Sequence, residues 1–494
     1  VEKSTVLIFC FKRKKAFSVE IYYIRYIGGI SLLNKKTIEN VLYAALSTGG
    51  DFAEIFVEDK YTTNMKMIGG ILEDSISGRD YGVGIRIFNG FNSIYAYTND
   101  STEENLIKVA KEAALAINLD KKNIVLNLMK NDVKNNNKII TLPRSVEKAK
   151  KIEIMKNGYL SAKNYDEVIS QVTVSYLDEE QNVLIANSEG LMAEDKRVRT
   201  RMAIQSVATK SGEMQIGFSA PGASMGFEFY ENIDIEEHGR EASRIAKTMI
   251  DAELCPSGKM PVVIHNGFGG VLFHEACGHG LEATSVAKNT SVFSNKLNEK
   301  VASSVVTAID DGTIPNEWGT TNIDDEGTPT RKNLLIENGI LKGYLVDKLN
   351  GRRMDYEPTG SSRRQSYKLP PTSRMNNTYI ANGKSTFEEI ISNTESGLFA
   401  KKLGGGSVNP ATGDFNFAVM EGYLIENGKI TKPVRGATLI GNGTEVLDKI
   451  DMVGNNLKLA QGMCGSVSGL VPVNLGQPTI RVKNLTVGGR KGDE

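Results

Sequence analysis

Two of the four histidines in this chain flank a glutamate inside six residues, His274-Glu275-Ala276-Cys277-Gly278-His279. Imidazole is the commonest side-chain ligand for zinc. A glutamate beside a metal site is the usual group that takes a proton from water when a metal hydrolase attacks a carbonyl. These residue types point to metal-assisted hydrolysis, with His274 and His279 as ligands and Glu275 as general base.

The spacing sets a condition on the backbone. In the zinc-protease helix H-E-x-x-H the histidines stand at i and i+4, about 40° apart on one face. Here the second histidine is at i+5, which a regular helix would turn about 140° away. A single π-type turn, or a helix that loosens at Gly278, must absorb the extra residue. Two histidines also fall short of the three protein ligands usual at a catalytic zinc. Glu282, Cys277 and Cys464 are candidates for the third, and spacing alone does not choose among them.

Positioning these groups requires a framework, and the hydrophobic pattern outlines one. A helix is expected over 37–47, strands over 52–58, 64–77, 82–88 and 93–97, and a helix from the capping box Ser101-x-x-Glu104 to about Ile117. The Asn- and Lys-rich stretch 118–138 reads as a linker. A second unit follows, with helices over 146–163 and 233–252 and strands between them. After Cys255-Pro256-Ser257-Gly258 come a short buried strand, 262–265, and a motif helix, 268–287. The remainder is strands and glycine turns, including two similar hairpins around Glu337-Asn338-Gly339 and Glu426-Asn427-Gly428. The fold class expected is α+β: a mixed α/β region over 33–254, with sub-units 33–118 and 139–254, then a strand-rich, largely antiparallel metal-binding domain over 255–494. Residues 1–32, with Lys12-Arg13-Lys14-Lys15 after an apolar run, are expected to be an extension outside the fold.

Composition narrows the classes. Lys+Arg and Asp+Glu are both 59, so there is no basic footprint of a nucleic-acid binder. Apolar runs are broken by charge well short of the ~18 residues that span a membrane. Four scattered cysteines without a C-x-x-C pair fit a reducing, cytoplasmic setting.

The motif His274-Glu275-Ala-Cys-Gly-His279-Gly-Leu-Glu282 resembles the signature of the TldD/PmbA family of metalloproteases, in its TldD-type, metal-bearing form. Asp310-Asp311-Gly312, Asp324-Asp325-Glu326-Gly327, Thr359-Gly360, Arg374-Met375-Asn376-Asn377-Thr378, Met463-Cys464-Gly465 and the ending around Pro478 to Gly489 follow in that family's order. Arg79-Asp80-Tyr81-Gly82-Val83-Gly84 resembles its N-terminal region. The likeness covers about residues 35 to 490. It implies zinc held by His274, His279 and Cys464, Glu275 as general base, and unfolded or extended peptides as substrates. It also implies a dimer, either of identical chains or with a paralogue that lacks the metal site. Glu282 is then a candidate to orient His279 from behind. An extended substrate is expected to pair with a sheet edge, since such pairing reads backbone.

Other residues carry plainer expectations. His238 and His265 read as structural, and Cys277 as a small packing residue. Asp310-Asp311 and Asp324-Asp325-Glu326 lack the spacing of a calcium loop and read as solvated turns. Gly404-Gly405-Gly406 is not a phosphate loop and reads as a flexible turn near the substrate groove. The competing functional readings are a peptide-binding scaffold with a vestigial metal site and a hydrolase of small amides.

Overall fold

The computed structural model describes residues 32–117, 126–409 and 412–489. The expected extension at 1–32 lies outside the described residues apart from Leu32, as does the start of the expected linker at 118–125.

An eight-stranded sheet builds the first half. Its main path runs Asn92–Thr98, Ile71–Asn89, Phe52–Ile68, Ile169–Asn187, Leu191–Lys210, Met129–Asn131. The three strands expected at 52–58, 64–77 and 82–88 are in fact two long ones, Phe52–Ile68 and Ile71–Asn89, which turn inside the expected second strand at Gly69 and Gly70, both at positive φ. One face is apolar. Ala53, Ile55, Val57, Val83, Ile85 and Leu184 pack under the helices Lys35–Ala45 and Glu103–Ala114. Further along, Met65, Val174, Met202 and Ile204 pack with the helices Lys148–Lys163 and Ile235–Ile250. The capping box expected at Ser101 does not form. Thr102 is the N-cap and makes no side-chain cap bond, while Glu103 accepts from Thr37 Oγ1 at 2.6 Å and so ties the first two helices together.

The opposite face of this sheet is buried too, but largely by charge. Glu54, Glu58, Arg86, Arg197 and Arg199 project from it, all 7% exposed or less. They meet the segment that carries Asp325, Glu326 and Arg364. This corrects the reading of the acidic stretches as solvated turns. Asp310 lies in the strand Ala308–Asp311 and accepts from Asn376 N at 2.7 Å and Thr378 Oγ1 at 2.6 Å. Asp324 accepts from the Glu326, Thr328 and Ser362 amides. Asp325 pairs with Arg197 at 2.6 Å, and Glu326 with Arg86 at 2.5 Å. A buried carboxylate is tolerated when its oxygens find such partners, and these partners are too distant in sequence to be read from it.

The second half holds two more large sheets, mostly antiparallel. In one, Ser396–Val408, Gly258–Ile264, Ile480–Gly488, Thr438–Asn442 and Asp414–Glu426 pair in turn, and Asp414–Glu426 pairs back onto Ser396–Val408. The pairing is therefore closed, which leaves no free edge within the ring. The other has six strands, ordered Ile340–Leu341, Lys332–Glu337, Ala308–Asp311, Asn377–Ile380, Gly469–Gln477, Lys458–Ser466. Both expected hairpins are present. Asn338-Gly339 and Asn427-Gly428 sit at positive φ, the conformation that two-residue hairpin turns require. Gly404-Gly405-Gly406 is not a loop: it lies inside the strand Ser396–Val408.

Candidate metal centre

The expected motif helix over 268–287 is broken into short pieces. A 3-10 turn over Gly267–Gly270 leads into an α-helix, Val271–Ala276. Cys277 then leaves helical geometry at φ −132°. A 3-10 turn follows over Gly278–Leu281, and a last helical turn over Ala283–Val286. The i+5 spacing is thus absorbed by ending the helix, the second of the two options, with no π-type turn. Val271, Leu272, Phe273 and Ala276 anchor the stub in the large core formed with the closed sheet. Gly278 is needed for space, because a Cβ there would come 2.3 Å from Met375 Sδ.

The break brings the two rings edge to face, with centroids 5.2 Å apart. Cys464 arrives from the far end of the chain, on the edge strand Lys458–Ser466. Its Sγ lies 3.2 Å from His274 Nε2 and 3.3 Å from His279 Nε2. The three ligand atoms lie within 4.8 Å of one another. Glu275 stands beside them, Oε2 3.7 Å from His279 Nε2, with its side chain 27% exposed. Glu282 is buried behind the cluster, Oε2 3.1 Å from His279 Nδ1. Of the three candidates for a third donor, only Cys464 joins the histidines. Cys277 is fully buried with Sγ 3.7 Å from the Gly443 carbonyl.

Electrostatics separates the thiols. Burial alone pushes Cys277 up, and Cys255 up to about 11. Burial acts on Cys464 in the same direction, but His274 and His279 outweigh it and hold the thiol down at about 4. Burial disfavours charge on His279, yet Glu282 and Cys464 raise it well above the usual value. The two histidines thus favour the thiolate form of Cys464, and a thiolate with two imidazoles is a donor set that a zinc-type cation takes. His279 is oriented by Glu282. His274 Nδ1 is buried without a hydrogen-bond partner, so packing and the Nε2 contact with Cys464 orient that ring.

Arg374, quoted above only within a family stretch, proves central to the assembly. It is fully buried and donates to the Cys464 carbonyl at 2.5 Å, the Gly469 carbonyl at 2.9 Å and Ser468 Oγ at 3.0 Å. Its Nε lies 3.9 Å from Glu282 Oε1, so one guanidinium links the hairpin that carries Cys464 to the carboxylate behind His279. Nothing in its local sequence signals that role. His238 and His265 stay apart from the cluster, bonded to Ser219 and Thr479 respectively. An apolar cleft of about 550 Å³ lies alongside the edge strand, lined by Phe218, Phe268, Leu403, Met420 and Met463, with His238 and Gly404-Gly405 in its wall.

Comparison with known proteins agrees with this geometry. Residues 53–117, 141–250 and 257–489 match, in turn, domain 1, the central domain and the C-terminal domain of PmbA/TldA metallopeptidases. The chain belongs to the PmbA/TldD family. A Haemophilus influenzae protein named metalloprotease TldD homolog is 36% identical over 468 residues, covering 93% of this chain and 97% of its own. Two solved structures share the fold. TldE from Thermococcus kodakarensis has a TM-score of 0.73 at 22% identity, covering 92% of this chain and all of its own. A Thermotoga maritima protein described as a modulator of a DNA gyrase has a TM-score of 0.75 at 24% identity, covering 92% and 99%.

Proposed function

We propose that this PmbA/TldD-family chain is a zinc peptidase acting on unfolded or extended peptides, with His274, His279 and Cys464 as ligands and Glu275 as general base. The observation that carries the reading is the convergence of three donor atoms from two distant segments, with a partly exposed carboxylate 3.7 Å from one of them. A vestigial site would have little reason to keep all four groups in place. Zinc, when bound, supplies a Lewis acid that polarises the scissile carbonyl and acidifies water. Glu275 takes the proton from the attacking water and passes it to the leaving amine. Glu282 keeps His279 turned toward the cluster, and Arg374 keeps the hairpin in place.

The apolar cleft beside the edge strand offers room for side chains of an extended substrate. Strand addition along that edge would first have to displace two contacts, since the Gln461 and Gly462 carbonyls accept from Arg201 and Trp318. The division into a 33–254 region and a 255–494 metal-binding domain, assembly as a homodimer or with a paralogue that lacks the metal site, and a cytoplasmic setting belong to the same proposal. No helix among the described residues is long and apolar enough to cross a membrane.

The test is elemental analysis of the purified protein, paired with Glu275→Gln. About one zinc per chain in both proteins is expected, with peptide turnover reduced roughly 10²- to 10⁴-fold in the variant. Peptide binding without turnover in the native protein, unaffected by Glu275→Gln, would favour the scaffold reading.

A further inference from the structure

A second cavity, of about 180 Å³, lies between the charged face of the first sheet and the hairpin that carries Cys464. Met463, Leu470, Val471 and Pro472 form its apolar wall. The facing wall carries Lys60, Arg197, Arg199, Arg363 and Arg364, against only Glu179 and Asp325 as acids. Glu58, Asp195 and Glu54 pair with Lys60, Arg197 and Arg364 from outside the lining, so the charges are equal in number but unevenly shared, and a buried cation left short of a partner is costly.

The imbalance falls on two side chains. Arg197 is satisfied by Asp195, Asp325 and the Ile323 carbonyl. Arg364 is satisfied by Glu54, the Asp325 carbonyl and Tyr95. Arg199 reaches only the Trp318 carbonyl at 3.4 Å and Glu179 at 3.5 Å, both long. Arg363 is 4% exposed and donates to a single acceptor, the Met375 carbonyl at 2.7 Å. It has no carboxylate at ion-pair distance among the described residues. A guanidinium carries five N–H donors, so most of its bonding capacity is unused. Burial and the guanidiniums of Arg199, Arg374 and Arg197 push Arg363 down to about 9, the effect expected where cations face one another.

We propose that this cavity is a binding site for an oxyanion, a carboxylate or phosphate group, held between Arg199 and Arg363. Two planar forks facing an apolar wall suit a flat or tetrahedral oxyanion that each can grip with paired N–H bonds. At ~30 Å³ per water the cavity holds a group of several heavy atoms, and no more than the end of a larger molecule. If the chain is the peptidase proposed above, the C-terminal carboxylate of a peptide is one source of the anion. A free phosphate-type ion is the other.

The chain supplies its own reporter. Trp318 is the single tryptophan of the sequence and lines the cavity. Its fluorescence reads occupancy without turnover or metal, so failure of the peptidase reading and failure of this one are separable. The probes are inorganic phosphate, acetate, and one peptide prepared as free acid and as C-terminal amide, at matched ionic strength. A saturable change with at least one oxyanion is expected, weakened tenfold or more in Arg363→Gln and Arg199→Gln. A response to the free-acid peptide that the amide lacks identifies the peptide terminus as the source; a response to phosphate alone identifies a free ion. In parallel, the bound probe raises the Tm of the native protein and not that of Arg363→Gln. Arg363→Lys keeps the charge but loses the fork, and serves if the glutamine variant does not fold; it too is expected to bind more weakly. No saturable response to any probe, or titrations unchanged in the variants, would overturn the proposal.

Discussion

In the trio Glu54–Arg86–Glu326 one guanidinium lies 2.8 and 2.5 Å from two carboxylates, and all three side chains are at most 2% exposed. In the trio His274–His279–Cys464, two ring nitrogens lie 3.2 and 3.3 Å from one sulfur; His274 and Cys464 are buried and His279 is 15% exposed. Both trios join segments far apart in sequence. The first closes on itself, because opposite charges alternate and Arg364 takes the remaining Glu54 oxygen at 2.8 Å. The second gathers three possible donor atoms within 4.8 Å of one another, an arrangement that a single cation would complement. Burial of polar groups is therefore not in itself a sign of function. What separates the two trios is whether the protein supplies the complement.

The contrast can be broken most directly by deleting one member of each. His274→Ala or Cys464→Ala is expected to abolish metal retention with the fold intact, read by elemental analysis beside circular dichroism. Arg86→Met is expected to do the opposite. It leaves buried Glu326 without its cation and Glu54 with Arg364 alone, and costs about 3–5 kcal/mol of stability by denaturant unfolding, while the folded fraction keeps its metal. A neutral Arg86→Met, or a Cys464→Ala that still holds its metal, would erase the distinction. A finer cut is Glu282→Gln, which leaves all donors in place but weakens the hold on His279 Nδ1. Metal affinity is expected to fall by about 10- to 100-fold in a competition titration with a chelator.

The smallest effect compares two histidines. His279 is raised by Glu282 and Cys464, whereas burial against Phe387 and Phe399 drives His265 down to about 4. The folded protein keeps His265 neutral to about pH 4, while the unfolded chain protonates it near 6.5. The unfolded state therefore binds that proton first, and stability falls as pH drops from about 6.5 to about 4. His265→Gln is expected to flatten this part of the stability–pH curve. An unchanged slope would mean the ring is not held neutral.

How much of this was legible depended on the range of the interaction. Asn338-Gly339 and Asn427-Gly428 specify their turns locally, so both hairpins were readable. The i+5 spacing required a local distortion of the motif helix, a π-type turn or a loosening at Gly278, for the same reason. Its form was not readable, because Gly278 is selected by Met375, nearly a hundred residues away. The long strands of the first sheet were read as shorter pieces, with gaps at 59–63 and 78–81 that Phe52–Ile68 and Ile71–Asn89 in fact run through. The acidic stretches were misread likewise: Glu326 is neutralised by Arg86 from 240 residues away.

Sequence by itself supplied the motif on which the proposed chemistry rests, since two histidines and a glutamate in six residues suit a metal and a proton transfer. It also determined the α+β class and the family likeness. Tertiary structure decided which thiol completes the cluster. Cys277 sits between the histidines and Cys464 lies 185 residues past His279, yet the broken helix buries the first against Gly443 and the edge strand delivers the second. Proximity along the chain is not proximity in space once a helix ends between two histidines, and Arg374, Trp318 and Arg201, bonded to carbonyls of the strand that carries Cys464, help to set which sulfur arrives.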